Sequence, residues 1–354
     1  MEAIAAIKVH RIKRSGIGEV DFSKLEFGKY VSDHMLICDY TNNAWQEPQI
    51  TPFTNLSMSP STLALHYGQT VFEGMKAFRM HDGRISIFRM DKHYDRFVKS
   101  LERMCMQVIP KEVFVEGMAQ LIAEDKAWVP TGKSDALYIR PFMYASEARF
   151  GVKISDDYRF IVFTGPVPTL YPKPVKVKVE TQFTRAARGG TGAAKCGGNY
   201  GGSYYPTLMA RNEGYDQVLW TDGRENKYIE ESGMMNVCFI INGKLVTPAL
   251  SDSILDGVTR DSLLILAKDA GIPVEERPVS IEELETAFRN KTITEAFGAG
   301  TAAVVLPIKA INIHGTEYDL PDYNEHSILF GLQHELEMIR SGQKEDRYGW
   351  NYVL

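Results

Sequence analysis

The sequence predicts a protein of the α/β class with two domains. Its 354 residues exceed what one ordinary hydrophobic core accommodates. Segments with apolar residues at every second position alternate with segments of helical spacing, so both strands and helices are expected. The stretch PVPTLYPKPV, residues 166–175, contains four prolines in ten residues and is typical of a stiff, extended connector. We therefore predict an N-terminal domain at 1–167, a connector at 168–176 and a C-terminal domain at 177–354.

The N-terminal domain is predicted to contain strands followed by two helices and two further strands. Residues 27–40 are apolar enough for a buried strand, and the HDG turn at 81–83 indicates a hairpin. From Asp91 onward the apolar residues lie on one helical face, which comprises Tyr94, Phe97, Val98, Leu101 and Met104. Three more elements are expected in order, namely a helix at about 111–123, a strand at 134–146 and a strand at 158–167.

The C-terminal domain is predicted to mix hairpins with helices that carry clear start and stop signals. Asn242-Gly243 between apolar runs predicts a tight hairpin. Ser280 followed by Glu283 is a capping box that opens a helix at 281–290. The remaining expected elements are strands at 216–222 and on either side of a small-residue turn in 293–308, and helices at 203–214, 255–271 and about 324–340.

Composition and charge exclude several classes of partner. With 40 Lys and Arg against 45 Asp and Glu, the net charge is −5, so neither nucleic-acid binding nor binding to an anionic membrane is indicated. No stretch has the length of a membrane span, and the N-terminus lacks the order of a signal peptide, so a cytoplasmic protein is expected. The four cysteines are scattered without a C-x-x-C motif, so neither a disulfide framework nor a metal site is predicted.

The most unusual stretch is GGTGAAKCGGNYGG, residues 189–202, in which seven of fourteen residues are glycine and the one lysine is Lys195. Such a cluster indicates unusual backbone conformations or close approach to a ligand. A lysine without acidic neighbours is a candidate Schiff-base amine. A flexible loop and an anion-binding loop remain alternatives, although Cys196 after the lysine breaks the nucleotide-binding pattern G-x-x-x-x-G-K-[ST].

Other motifs offer the further groups that would be required if Lys195 held a phosphorylated carbonyl cofactor. This chemistry requires an amine, an anion seat and a carboxylate for a ring nitrogen. The turns at 256–259 and 298–301 are candidate anion seats, since exposed backbone N–H groups bind phosphate. Glu230 and Glu231 in IEESGMMN are the candidate carboxylates, and alternation along a strand would point them in opposite directions.

Several separated motifs, taken together, resemble one known family. These motifs are KCGGNYG (195–201), IEESGMMN (229–236), LDGVTRDS (255–262) and FGAGTAAVVLPI (297–308). Their order and spacing resemble fold-type IV pyridoxal-phosphate enzymes. In the first half, SDHML (32–36), PFTNLSMSPSTLALHYGQTVFEGMKAF (52–78) and LYIRP (137–141) are similar to the branched-chain amino acid aminotransferases.

The resemblance implies both a fold and a reaction. It implies a small N-terminal and a larger C-terminal α/β domain with the active site at their interface. The implied cofactor is pyridoxal 5′-phosphate. The implied reaction is a ping-pong transfer of the amino group between L-leucine, L-isoleucine or L-valine and 2-oxoglutarate, in a homodimer or larger homo-oligomer.

The resemblance also implies roles for individual residues. Lys195 would be the Schiff-base lysine and the catalytic proton carrier. Glu231 would pair with the pyridine nitrogen, and Tyr200 would bind the ring oxygen. The implied phosphate ligands are Arg96, Val258, Thr259 and Thr301. The implied substrate-binding residues are Tyr67, Phe72, Tyr138, Arg140, Thr301, Ala302 and, in the connector, Tyr171.

Two rival functions are distinguishable from this interpretation. The nearer one keeps the fold and cofactor, as a D-amino acid transaminase or an aminodeoxychorismate lyase, and LHYGQTVFEGMKAF and Arg140 argue against it. The other is a nucleotide-binding module that uses the glycine-rich loop. Some family members carry a redox-sensitive C-x-x-C, but Ala303 and Leu306 occupy those positions here, so no thiol switch of that kind is expected.

Overall fold

The computed structural model describes residues 7–132, 135–169 and 173–354. The chain divides into two compact units. Unit 1 consists of the described residues up to Thr169 together with Ala194–Gly198 and Ile339–Leu354. Unit 2 consists of the described part of 170–193 together with Asn199–Met338.

Strands and helices are distributed over the whole described chain. The strands are β1 Lys8–Val9, β2 His34–Thr41, β3 Ala44–Trp45, β4 Gln49–Pro52, β5 Thr70–Phe72, β6 Met75–Arg79, β7 Ile85–Phe88, β8 Ala136–Ala145, β9 Tyr158–Val167, β10 Val175–Glu180, β11 Gln217–Thr221, β12 Ile229–Ser232, β13 Met235–Ile241, β14 Lys244–Thr247, β15 Val274–Glu276, β16 Ile293–Gly300, β17 Val304–Ile313, β18 Thr316–Asp319 and β19 Asn351–Val353. The helices are α1 Leu63–Tyr67, α2 Met90–Arg103, α3 Lys111–Glu124, α4 Gly198–Gly201, α5 Tyr204–Asn212, α6 Val258–Asp269, α7 Ile281–Arg289 and α8 Ile328–Arg340.

Unit 1 is built on a ten-stranded sheet in the described residues, in the order β1-β4-β2-β9-β8-β6-β7-β19, with β3 beside β2 and β5 beside β8. Its neighbouring strands run antiparallel except for β1 and β4. The core contains an aromatic group from α2, α3 and β9, in which the rings of Phe97, Phe114 and Phe160 lie 5.6–6.0 Å apart between centroids. Their burial fixes α2 against the sheet, because apolar area removed from water stabilises by about 25 cal/mol per Å².

Unit 2 is built on a nine-stranded mixed sheet in the part of the chain that the structure describes. The order is β12-β11-β10-β17-β16-β13-β14-β15, with β18 beside β17 and a further pairing of β12 with β13. Strand β10 runs parallel to β11 and β17, and β14 runs parallel to β15. Val177, Phe239 and Ile308 are fully buried in its core. The mixture of helices and strands in both units confirms the predicted α/β class.

The elements with strong local signals agree with the sequence predictions. Helix α2 buries Phe97 and Leu101 of the predicted apolar face. Strand β9 has the predicted bounds. The side chain of Ser280 accepts a hydrogen bond from the backbone N–H of Glu283 at the start of α7. Asn242 and Gly243 both have positive φ, as a two-residue hairpin turn requires.

Two segments that the prediction assigned to the C-terminal domain lie in unit 1. Ala194–Gly198 belongs to unit 1 because Cys196 forms a β-bridge with Val71 and the backbone N–H of Gly197 donates to the carbonyl oxygen of Thr70. The C-terminal segment does so because β19 pairs with β7. The predicted domain boundaries themselves stay a prediction, and residues 170–172 of the predicted connector lie outside the described residues.

Candidate active site

The backbone of Lys195 is fixed from two sides within unit 1. Its carbonyl oxygen accepts a hydrogen bond of 3.0 Å from the N–H of Phe72, at the end of β5. Its N–H donates to the hydroxyl of Ser100 on α2 at 2.9 Å, and that hydroxyl donates to the carbonyl of Arg96 one turn earlier, also at 2.9 Å. A glycine-rich loop that is held in this way presents its lysine in one position.

The amine of Lys195 lies in a partly buried, positively charged setting. Its Nζ is 4.7 Å from the centroid of the Phe72 ring. Burial, and then the nearby guanidinium of Arg96, lower the pKa of Lys195 to about 8, although the carboxylate of Glu73 opposes this shift. An amine with this pKa is partly uncharged near neutral pH, which is the state that reacts with a carbonyl group.

Arg96 is buried, not exposed as a lone helix charge would be, and it is paired with Glu73. Its Nε and Nη2 atoms donate to the two oxygens of Glu73 at 2.7 and 2.8 Å. His93, one turn earlier on α2, lies with Nδ1 2.8 Å from Oε2 of Glu73. Burial disfavours the charge on Glu73, but Arg96 and His93 outweigh it and hold the pKa of Glu73 well below its usual range.

The predicted substrate-binding residues of unit 1 lie on β5, β8 and α1. The Nη2 of Arg140 donates to the hydroxyl of Tyr138 at 3.0 Å, and its guanidinium lies 5.0 Å from the Phe72 ring. A Cβ atom added at Gly74 would lie 2.0 Å from the Tyr138 hydroxyl, so any larger residue there would require the Tyr138 ring to shift. Tyr67, at the end of α1, is 45% exposed.

A largely apolar cavity of about 410 Å³ lies in unit 1. Phe72 and Arg140 line it, whereas Tyr67 and Tyr138, both described, do not. The remaining lining residues are Leu56, Met58, Ala64, Leu65, Thr70, Val71, Phe142, Tyr144 and Phe163. Apolar walls with one cation fit a small ligand that has an aliphatic part and an anionic end.

In unit 2, the candidate carboxylate Glu231 is buried on β12 beside an arginine. Its Oε2 lies 3.1 Å from Nε of Arg185, and its Oε1 accepts a hydrogen bond from the backbone N–H of Leu255 at 2.8 Å. Asn236, its register partner on β13, contacts the same Oε1 at 3.4 Å. A guanidinium and an N–H donor at these distances favour the ionised carboxylate.

The neighbouring carboxyl, Glu230, has a different environment. Its Oε1 accepts a hydrogen bond from the hydroxyl of Ser253, and its Oε2 is buried without a hydrogen-bond partner. Burial raises the pKa of Glu230, although Ser253 and Arg185 oppose this. The two adjacent glutamates thus have different partners, which alternation along a strand permits.

Asn236 links the elements that carry the other predicted residues of unit 2. It is in register with Glu231 on one side and with Ala299 of β16 on the other, and β16 leads into the turn with Thr301 and Ala302. A Cβ atom at Gly257 would lie 1.9 Å from Oδ1 of Asn236, so the backbone before α6 passes directly beside it.

The last predicted residues lie at backbone turns and helix ends. Val258 and Thr259 are the first two residues of α6, and the N-cap residue Gly257 has no side chain that would accept from their N–H groups. Tyr200 lies on the short helix α4, where its carbonyl accepts from Ser203. The predicted residue Tyr171 lies outside the described residues.

Sequence reasoning missed four residues of these clusters: Glu73, Ser100, Arg185 and Asn236. Each contacts a predicted residue through a bond between positions at least five apart in the chain, and 95 apart for Ser100. One signal was present for Glu73, because this acidic residue directly follows the apolar pair Val71-Phe72, and a glutamate is seldom buried unless it is paired. In the described part of the chain, no cluster of His, Cys, Asp or Glu could hold a metal ion. No described helix is long and apolar enough to cross a membrane.

The family model described as amino-transferase class IV matches residues 70–311. The chain belongs to this family. It is 44% identical over 335 residues to branched-chain-amino-acid transaminase 1 of Bacillus subtilis (strain 168), and the alignment covers 93% of this chain and 94% of the relative. These similarities confirm the resemblance that the motifs predicted.

Solved structures agree with this assignment. The branched-chain amino acid aminotransferase of Escherichia coli superposes with a TM-score of 0.73 at 27% identity, covering 90% of this chain and 98% of that one. A branched-chain amino acid aminotransferase from Thermobaculum terrenum, solved in its PLP form, has a TM-score of 0.72 at 23% identity and covers 90% and 97% of the two chains. Both confirm the fold.

Proposed function

We propose that the protein is a pyridoxal-phosphate-dependent transaminase. It exchanges the amino group of L-leucine, L-isoleucine or L-valine with 2-oxoglutarate. The observation that carries the proposal is Lys195, an amine on a fixed backbone whose pKa is lowered to about 8. The name of the Bacillus subtilis relative, which is 44% identical along nearly the whole chain, supports the branched-chain substrates.

The residues present fit pyridoxal phosphate on the chemistry of their donor groups. The cofactor needs an amine for its aldehyde, donors for its phosphate and a carboxylate for its ring nitrogen. Lys195 would supply the amine, and Glu231, buried beside Arg185, would supply the carboxylate. The phosphate would be held by Arg96, Val258, Thr259 and Thr301, and the ring oxygen by Tyr200.

When it is bound, pyridoxal phosphate supplies an electron sink for the charge left at the substrate Cα. Lys195 moves the proton at that carbon, since an amine with a pKa of about 8 both accepts and returns a proton near neutral pH. Glu231, whose ionised form the neighbouring Arg185 favours, would accept a hydrogen bond from the protonated ring nitrogen. Backbone N–H groups at Thr301 and Ala302 orient the α-carboxylate of the substrate.

Substrate choice would follow from the cavity in unit 1. Its apolar walls accept a branched aliphatic side chain. Arg140 supplies the cation that a second carboxylate, such as that of 2-oxoglutarate or glutamate, requires. A single cavity with Arg140 at its wall would therefore serve both substrates of the exchange.

The proposal includes a homodimer or a larger homo-oligomer. Unit 1 exposes several apolar side chains on the segment before β9, with Phe150 99% and Val152 81% exposed. Burial of these side chains against a second copy of the chain would remove them from water. Light scattering measures the mass directly, and the double substitution Phe150→Ser with Val152→Ser should shift the protein toward monomer. A monomeric wild-type protein would contradict this part.

The reaction is tested by the visible absorption of the purified protein mixed with pyridoxal phosphate. We expect the band of the bound cofactor to fall when L-isoleucine is added and to return with 2-oxoglutarate. Lys195→Ala is the matched variant and should show neither change. A band that responds to D-alanine but not to L-isoleucine would favour the D-amino acid transaminase. The absence of a band from protein-bound cofactor would contradict the role of Lys195.

A further inference from the structure

Glu73 has no predicted role, yet it is completely buried and fully paired. Its relative exposure is 0%, and both of its oxygens accept from the guanidinium of Arg96 at 2.7 and 2.8 Å. His93 Nδ1 lies 2.8 Å from Oε2 of the same carboxylate. A buried carboxylate costs much free energy to desolvate, so one that is held by two partners calls for a reason beyond packing.

The same short segment fixes the catalytic lysine. Phe72, directly before Glu73, donates its N–H to the carbonyl of Lys195 at 3.0 Å. On α2, Ser100 lies one turn after Arg96, accepts from the N–H of Lys195 and donates to the carbonyl of Arg96. The pair of charges and the lysine backbone are therefore attached to the same two elements, and their relative positions are fixed.

The charged and titratable groups around the Lys195 amine come from three elements. Arg96 and His93 lie on α2, Glu73 follows β5, and Tyr138 and Arg140 lie on β8. Burial lowers the pKa of His93 although Glu73 opposes it, so His93 is neutral near neutral pH and donates to the carboxylate. Among the remaining groups, Glu73 is the anion that offsets the two arginines.

We propose that Glu73 is a positioning residue that fixes the guanidinium of Arg96 and cancels its charge beside Lys195. This inference rests on the proposed function, in which Arg96 binds phosphate and Lys195 reacts as an amine. Without the carboxylate, Arg96 would face Lys195 uncompensated. The lysine would then lose its proton more readily and return it less readily to the substrate carbon.

The test is a set of opposite charge changes in the full-length, cofactor-free chain. The variants are Glu73→Gln, Arg96→Gln and the double variant. The readout is the pH midpoint at which acetic anhydride modifies Lys195, followed by mass spectrometry of its peptide. We expect the midpoint to fall by about one pH unit in Glu73→Gln, to rise by about one unit in Arg96→Gln and to lie near the wild-type value in the double variant.

A second buried carboxylate–histidine pair in unit 1 provides the control. His34 Nδ1 lies 2.6 Å from Asp125, and both residues are buried. Asp125→Asn should leave the midpoint of Lys195 unchanged. A purely structural role of Glu73 predicts that both single variants move the midpoint in the same direction, and this result would overturn the inference. So would three unchanged midpoints.

Two further points separate the possible failures. If Glu73→Gln does not fold, the comparison uses the double variant and Arg96→Gln, which differ only in the carboxylate of Glu73. The pH midpoint of Lys195 must then be lower in the double variant than in Arg96→Gln. If the wild-type protein shows no cofactor band, the proposed function fails whatever the midpoints are. If the band is present and the order of the midpoints is not as stated, the role of Glu73 alone fails.

Discussion

Each unit contains a buried pair of a glutamate and an arginine, and the two pairs are used in opposite ways. In unit 1, Arg96 is the proposed ligand of the cofactor phosphate, and Glu73 holds it through both carboxylate oxygens. In unit 2, Glu231 is the proposed partner of the ring nitrogen, and Arg185 lies beside it with its Nε 3.1 Å from Oε2. The same kind of ion pair thus presents its arginine to the cofactor in one unit and its glutamate in the other.

The two pairs differ in whether the supporting residue directs its contacts to one partner or to several. Glu73 accepts from two atoms of one guanidinium, which fixes the orientation of Arg96 as well as its charge. Arg185 divides its contacts between Glu231 and the carbonyl oxygens of Gly192 and Ser253, so it secures the loop before the lysine as well as the carboxylate. We therefore expect loss of the support to affect stability first in unit 1 and catalysis first in unit 2.

The largest effect should follow from Glu73→Gln, which leaves a buried guanidinium without its counter-charge. We expect the free energy of unfolding at neutral pH to fall by about 3–5 kcal/mol. The pKa of Glu73 lies below its usual range in the folded state, so this contribution is present at neutral pH and is lost as the pH falls through the folded value. Urea unfolding measures it. Asp82→Asn, which removes the exposed partner of Arg84, should change nothing measurable, and equal losses in the two variants would contradict the comparison.

The next effect should follow from Glu231→Gln. The amide has nearly the same shape but cannot hold a proton on the ring nitrogen, so we expect kcat with L-leucine to fall about 100-fold at saturating cofactor. The far-ultraviolet circular dichroism should be that of the wild-type protein. An unchanged kcat would remove Glu231 from the proposed mechanism.

A smaller effect is expected from Arg185→Gln, because Glu231 keeps the N–H of Leu255 as a donor. We expect a fall in kcat of about tenfold, which corresponds to about 1.4 kcal/mol of transition-state stabilisation. Arg277→Gln removes a surface arginine that pairs with Glu275 and Glu283, and it is the matched control. A loss in Arg185→Gln as large as that in Glu231→Gln would mean that the carboxylate depends on this arginine entirely.

The smallest effect should follow from Glu230→Gln. Burial raises the pKa of Glu230 in the folded state, so the folded protein holds this proton to a higher pH than the unfolded chain does. Wild-type stability therefore declines with rising pH between the two values, and the variant should lack this decline. We expect a gain of about 1 kcal/mol or less at neutral pH, measured by urea unfolding at several pH values. If stability fell more steeply with rising pH in the variant than in the wild-type protein, Glu230 would be ionised and stabilising, which would contradict this prediction.

The sequence by itself determined the local elements and the family. The apolar periodicity predicted α2, the Ser280–Glu283 capping box predicted the start of α7, and Asn242-Gly243 predicted the hairpin between β13 and β14. Each of these signals depends on residues within a few positions of one another, which is the range over which backbone propensity and capping act. The separated motifs identified the family, and the resemblance to that family supplied the candidate site residues.

Only the tertiary structure decided which other residues hold the candidate site residues in place. The pairing of Glu73 with Arg96 spans 23 positions, and the bond from Lys195 to Ser100 spans 95. No periodicity encodes such contacts, and a charged residue on a helix is usually exposed, so Arg96 gave no sign of its burial. The C-terminal residues carried no clear signal either, because β19 exists only through its hydrogen bonds to β7. An ion pair or an edge strand is defined by its partner, and a single sequence shows residue types without showing which of them meet.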